Sequence, residues 1–319
     1  LERLGLSEDP SPQLTGIESG DPLLDADLAW HVRAWGRWVL ARARKDLARF
    51  YPTYAEFEPT DSSPRETRKG KGLQLVPLDA EGRANVDALN SEFGETYLTD
   101  KRNPRWVAKP TVAYLWARTV SCKNCRAIVP LLKTSWLCKK DAKRVLLTMK
   151  PNNEGTGVVY GVERNAPSVG TNPAARREHD KRLGTGTMSR SGAQCMCCPA
   201  TMTMEDIRLE GRVGRLGLVM TAVVVDGQGG KEYRLSTPEE LNAASSAANQ
   251  VPKTFADIPF GLPTARLPSK EALGFRVPLY GFDQWHKLFT PRQLVALGTI
   301  SRVIRSLPQP TDVDAADAD

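Results

Sequence analysis

VSCKNCRAIVP, residues 120–130, sets two thiols three positions apart, at Cys122 and Cys125, between short runs of β-prone residues. A second stretch, SGAQCMCCPATM at 191–202, carries Cys195, Cys197 and Cys198, and its C-x-x-C register joins Cys195 to Cys198. Two such knuckles, each at or near the start of a hairpin, can offer four thiolates tetrahedrally to one Zn²⁺ at ~2.3 Å. The 69 residues from 126 to 194 do not forbid this, because loop-closure entropy grows slowly with length. The spacing therefore predicts a structural zinc on Cys122, Cys125, Cys195 and Cys198, with Cys197 a competitor for the place of Cys198. Four sulfur ligands leave no open position for water, so the expected metal is not catalytic. Free thiols or a redox pair are the competing reading of the Cys-Met-Cys-Cys cluster, against which stands the lack of a βαβ context.

The residues after the two pairs are Arg126 and Pro199. Glycine is the usual choice there, since it permits the tight turn, and proline has no amide to aim at sulfur. Cys138, in TSWLCKK, reads as a half-buried packing thiol.

At 319 residues and 40% apolar composition the chain can bury a large core without leaning on metals for its overall stability. A chain of this length with six cysteines, five of them in two close groups, reads as metal-binding in a reducing compartment rather than disulfide-framed. The longest strand-like apolar run, LGLVMTAVVV at 216–225, is about half of the ~20 residues a bilayer crossing needs. LERLGLSEDP has no export signal, so the expected location is cytoplasmic, with no membrane partner. The first residue is Leu1 rather than Met, which suggests processing or a piece of something longer. Net charge is +7, and residues 101–150 hold thirteen Lys or Arg against one acid, Asp141. A field of that sign attracts polyanions, and DNA is the expected partner; a solvated basic face is the plainer alternative.

The remaining pattern predicts an α+β fold of zinc-ribbon hairpins with flanking helices. In residues 21–52, Leu28, Val32, Trp35, Val39, Ala43, Leu47 and Phe50 fall on one helical stripe, entered at Asp21-Pro22 and left at Tyr51-Pro52. Arg33, Arg37, Arg44 and Lys45 lie off that stripe. AYLWARTV, AIVPLLKTSWL, RVLLTMK and GVVYGVE read as hairpin strands, and LVMTAVVVDGQGGKEYRLS as a hairpin about DGQGG. Thr237-Pro238 with Glu240, and Thr290-Pro291 with Gln293, are capping boxes that open helices. Residues 59–72 and 164–192 read as polar loops, and TDVDAADAD as a disordered acidic tail. These shifts divide the chain into a helical segment (1–58), a loop-rich linker (59–102), a ribbon-bearing β domain with a long insertion (103–235), a second helical segment (236–308) and the tail (309–319).

No catalytic constellation emerges. His31, His179 and His286 share no motif spacing, and Gly155, Gly157 and Gly161 of NEGTGVVYGVE lack the strand and helix that give a phosphate loop meaning. Asn103-Pro104-Arg105-Trp106 is one residue from the Asn-Pro-Pro-aromatic motif of amino-methyltransferases, but Arg105 would disfavour an amine developing positive charge. It reads as a basic loop with a packing Trp.

FYPTYAEFEP (50–59), NPRWVAKPTVAYLWARTVSC (103–122), LLKTSWLCKKDAKRVLLTM (131–149), MSRSGAQC (188–195), EDIRLEGRVGRLG (205–217) and LFTPRQLVALGT (288–299) resemble the central region of zinc-ribbon-containing adenine-specific DNA methylases. The likeness spans most of residues 22–305. It implies that Cys122, Cys125, Cys195 and Cys198 form the ribbon inserted in a Rossmann-like methyltransferase. That enzyme binds S-adenosylmethionine through an Asp-Pro-Phe-x-Gly-x-Gly loop and acts through Asp-Pro-Pro-Tyr. Neither motif occurs in the 319 residues, so the resemblance supplies metal ligands and no catalytic or cofactor-binding residue. The expected role is DNA contact and scaffold, with missing segments or a partner chain supplying the chemistry; the chain alone is expected to be inactive. The alternative is a stand-alone zinc-ribbon nucleic-acid binder.

Overall fold

The computed structural model describes residues 28–58, 72–100, 102–170, 172–227 and 229–307. The helix entry at Asp21-Pro22, nearly all of the polar segment 59–72, Lys101 and the acidic tail lie outside them, as does Gln228 in the DGQGG turn.

The chain is α+β with antiparallel sheets. Helix α1 (Leu28–Leu47) leads through a 3-10 turn into β1 (Tyr54–Glu58), followed by β2 (Gln74–Leu75), the short helices α2 (Asp87–Asn90) and α3 (Glu95–Thr99), and β3 (Arg105–Lys109). Next come β4 (Thr111–Ser121), β5 (Ile128–Pro130), β6 (Trp136–Lys140), β7 (Lys143–Pro151), β8 (Val158–Arg164), α4 (Pro173–Leu183), β9 (Gly192–Gln194) and β10 (Thr201–Thr203). The chain continues with α5 (Met204–Arg212), β11 (Gly217–Gly227), β12 (Gly230–Arg234), α6 (Pro238–Phe255), α7 (Lys270–Leu273) and α8 (Pro291–Arg305).

The sheets run β2-β1-β3, β12-β11-β4-β5 and β6-β7-β8, with β9-β10 a separate hairpin. β11 is nearly continuous in apolar residues because its middle is covered: Met220, Val223 and Val225 pack with Tyr114, Trp116 and Ala244 of α6. The first and last described helices meet beside that sheet. Trp38 and Val39 of α1 pack on Val303 of α8, while Phe50 packs on Ala247 of α6 and Val295 of α8. Both expected capping boxes form, with Thr237 and Glu240 opening α6 and Thr290 and Gln293 opening α8.

The expected α1 stripe holds at Val39, Ala43 and Phe50, which are buried, and at half-buried Trp35 and Leu47; it differs in that Trp38 is buried too and Val32 is 61% exposed. Trp38 lies one residue before Val39, and a helix face wide enough to meet α8 takes both. The basic residues Arg33, Arg37, Arg44 and Lys45 are exposed, as expected.

One loop reading, 164–192, is corrected, and the loop-rich linker carries short elements of its own. Residues 72–100 fold onto the first sheet, where Ala55, Val76 and Trp106 are buried with Phe57, Val86, Leu89 and Phe93 around them. Residues 164–192 contain α4, opened by Asn172, whose side chain accepts the Ala174 and Ala175 amides ahead of Pro173 at the first turn. Its inward face is polar, which concealed it. Arg144 of β7 donates to Asp180 of α4, and Lys139 lies 3.3 Å from the same carboxylate. Trp136 Nε1 donates to the Asp180 carbonyl at 2.9 Å.

The first two sheets are tied by charge. Lys109, 3% exposed, reaches Glu56 at 2.7 Å, Glu58 at 2.6 Å and Glu232 at 2.8 Å. Burial works against the ammonium, yet hydrogen bonds to Glu232, Glu56 and Glu58 outweigh it and raise its pKa. The Asn103–Trp106 loop is structural: Asn103 Nδ2 donates to the Tyr97 carbonyl at 2.8 Å, and Tyr97 Oη to the Pro104 carbonyl at 2.9 Å. No helix among the described residues is long and apolar enough to cross a membrane.

Candidate metal centre

Strands β4 and β5 pair through Val120↔Val129 and Ser121↔Ile128, so Cys122 to Ala127 is the loop of a hairpin. The Cys122 amide donates to the Ala127 carbonyl at 2.8 Å, and the Arg126 amide to the Cys122 carbonyl at 3.0 Å. That turn closes with Arg126 in the left-handed region, φ 63, where glycine would sit without strain. Strands β9 and β10 repeat the plan. Gln194↔Thr201 is the last pair before the loop, and the Cys195 amide donates to the Ala200 carbonyl at 3.0 Å. Pro199 takes the place of Arg126 and cannot repeat the second bond.

Packing brings the hairpins face to face. Val120, Ala127 and Val129 from one, Ala193 and Met202 from the other, and Ile207 of α5 bury the inner thiols Cys122 and Cys195. The Lys123 amide donates to Met202 Sδ at 3.1 Å, and Lys123 Nζ meets Asp206 of α5 at 2.8 Å. Asp206 is also the third helical residue of a capping box with Thr203, so one carboxylate fixes the start of α5 and the first knuckle together. Hydrogen bonds from Lys123 and Thr203 hold its carboxyl below the usual range. The Thr-x-x-Asp spacing directly after the second knuckle was the sequence signal for this helix.

The four sulfurs of Cys122, Cys125, Cys195 and Cys198 all lie within 4.8 Å of one another. Across the knuckles, Cys122 Sγ is 3.6 Å from Cys198 Sγ, and Cys125 Sγ 3.6 Å from Cys195 Sγ. A tetrahedral Zn–S₄ centre with bonds of ~2.3 Å has edges of about 3.8 Å, whereas a disulfide needs about 2.05 Å. The spacing therefore suits a shared ion and not a covalent bridge. Amides face the sulfurs too: the Cys197 N–H lies 3.4 Å from Cys195 Sγ. Burial pushes the Cys195 thiol up to about 12, while hydrogen bonds from the Ala200 amide and Asn124 hold Cys198 at about 6. The Ala127 amide favours the Cys125 thiolate, but desolvation and its neighbours Cys198 and Cys122 raise it overall. Crowded thiolates repel one another, and a divalent cation relieves that repulsion while releasing protons.

Cys197 turns away from this group: its Sγ donates to the Gly157 carbonyl at 3.3 Å. Cys138 sits half-buried on β6, and its thiol meets Tyr233. His179 flanks Asp180 at 3.6 Å, and His286 Nδ1 lies 3.2 Å from the Pro263 carbonyl; neither approaches the sulfurs as a ligand. His31 falls in α1 at a position whose side chain is outside the described residues.

The basic run 101–150 is partly spent inside the fold. Lys109 and Arg144 are buried in ion pairs, Lys123 is held by Asp206, and Arg102 lies 3.7 Å from Asp100. Compared with known protein families, with curated proteins and with solved structures, the chain gives no match.

Proposed function

We propose that Cys122, Cys125, Cys195 and Cys198 hold one structural Zn²⁺, and that the paired hairpins around it act as a zinc ribbon. The observation that carries this reading is the meeting of four sulfurs from two knuckles, with cross-knuckle separations of 3.6 Å close to the edge of a Zn–S₄ tetrahedron. Inner thiols in the core and outer thiols at the surface suit an ion that joins β4-β5 to β9-β10 and thereby sets α5.

On the sequence resemblance, the chain is the zinc-ribbon region of an adenine-specific DNA methyltransferase. It contributes DNA contact and scaffold, while S-adenosylmethionine binding and transfer to adenine N6 belong to segments or a partner chain outside these residues. Calorimetric titration of the chain with S-adenosylmethionine is expected to give no binding heat, and titration with duplex DNA an affinity that falls as salt rises. A tight cofactor site would overturn the scaffold reading. A chain indifferent to DNA at low salt would overturn the contact.

A second reading, a stand-alone zinc-ribbon nucleic-acid binder, is favoured by the Asn103–Trp106 loop. The Pro104 carbonyl, which a methyl-transfer motif would turn towards the target amine, accepts from Tyr97 Oη, and Asn103 Nδ2 is held by the Tyr97 carbonyl. Addition of the missing motifs in trans separates the two readings: methylation of adenine supports the enzyme region, and unchanged DNA binding without methylation supports the binder.

A further inference from the structure

The insertion between the knuckles presents its own cationic surface, away from the metal. In the β6-β7 hairpin the register sets Lys139 opposite Arg144 and Lys140 opposite Lys143. Like charges directly opposite one another destabilise a strand pair. Asp180 relieves the first pair, since both Lys139 and Arg144 reach its carboxylate. Nothing comparable relieves the second, because Lys140 and Lys143 have no ion pair with a described residue. Helix α4 lies against this hairpin through Arg144–Asp180 and through Arg176, whose Nη1 is 3.4 Å from Asp141 in the β6-β7 turn. Its outward face carries exposed Arg177, Lys181 and Arg182, and Arg177 and Lys181 are one turn apart on the same side. The acids nearby are Glu178 on that face and Asp141, which Arg176 engages.

We infer that this hairpin and α4 form the surface that grips duplex DNA through its phosphate backbone. A row of phosphates supplies the counter-charge that the fold withholds from Lys140, Lys143, Arg177, Lys181 and Arg182, and helix plus hairpin is a shape that can follow a groove edge. The metal hairpins and α5 are less suited, since most of their cations are paired: Lys123 with Asp206, Arg208 and Arg212 with Glu205, and Arg215 with Glu210, while Arg126 is the exposed cation left on the first knuckle. This inference rests on the DNA-contact reading above and locates it on the insertion.

The test is fluorescence anisotropy of a labelled random-sequence duplex with the full zinc-loaded chain, over a salt series. Lys140→Glu/Lys143→Glu/Arg177→Glu/Lys181→Glu is expected to weaken binding more than tenfold and to flatten the log–log salt slope by about 4. Arg33→Glu/Arg37→Glu, on the exposed side of α1, is the charge-reversal control and is expected to change affinity less than about threefold. Metal content and melting temperature verify that each variant folds; Lys140→Gln/Lys143→Gln, which removes the cross-strand repulsion, serves if the quadruple variant does not, with an expected slope change of about 2. Tight, salt-sensitive binding by the wild-type chain that these variants leave intact overturns the inference and spares the DNA reading. A wild-type chain that binds no duplex overturns both.

Discussion

Arg126 holds a left-handed backbone, φ 63, at the position where the first knuckle turns back to β5. A side chain there costs about 1–2 kcal/mol, while glycine adds back part of that as unfolded-state entropy. Arg126→Gly is therefore expected to stabilise the fold by about 0.5 kcal/mol with metal content unchanged, read as a rise in denaturation midpoint. A clear fall would show that the Arg126 side chain matters more than its backbone. Asp180 makes the complementary case in a buried carboxylate. Hydrogen bonds from Arg144 and Lys139 overcome desolvation and lower it from 3.8 to about 2. Because the folded value is the lower one, its stabilisation is complete above the unfolded pKa and is lost as pH falls from 3.8 through about 2. Wild-type unfolding free energy should drop through that window, whereas Asp180→Asn, less stable at neutral pH, should give a flatter curve there. Parallel curves would remove Asp180 from the account. Arg144→Leu, which leaves the buried carboxylate with Lys139 alone, is expected to cost about 3 kcal/mol in urea unfolding.

Among the elements, α5 is the one that the metal hairpins position and against which the arm between α7 and α8, residues 274–290, docks. Its start is fastened to the first knuckle through Asp206 and Lys123. Its end meets the 3-10 turn Val277–Tyr280: a Cβ on Gly211 would strike the Tyr280 carbonyl, and one on Gly281, φ 81, would strike the Gly211 carbonyl. Gly281→Ala is expected to cost about 2 kcal/mol and to loosen residues 277–285 in hydrogen exchange while zinc content holds. Unchanged protection would mean that the arm docks by other contacts. Elements also show what a sequence can and cannot disclose. The paired thiols, the strands around them and the Thr237 and Thr290 caps were legible, because each depends on residues a few positions apart. Helix α4 was not, because its buried side is Asp180 with half-buried Arg176 and His179 rather than an apolar stripe. Its signal was the Asn172-Pro173 cap. The C-x-x-C register pointed to Cys198 but left Cys197 in competition, since what separates them is which thiol the turn directs towards Gly157.

At the scale of the whole molecule, strands distant in sequence close two of the sheets, while β6-β7-β8 is a local meander. β11, far along the chain, pairs with β4, and because β1 pairs with β3 and α1 packs on α8, the segments divided by composition meet in space. Helices from both ends then cover the central sheet. The metal hairpins have their own buried cluster, distinct from those of the helical layer. Chelation of the ion is expected to lower hydrogen-exchange protection first in β5, β9, β10 and α5, and to leave α1, α6 and α8 protected. Simultaneous loss everywhere would make the metal a keystone of the entire fold rather than of one part. The most direct test of the central claim is elemental analysis of the purified chain beside single cysteine variants. About one zinc per chain is expected, lost in Cys122→Ser, Cys125→Ser, Cys195→Ser and Cys198→Ser and retained in Cys138→Ser and Cys197→Ser. A well-folded wild-type chain that carries no metal and takes up none when zinc is supplied would contradict it.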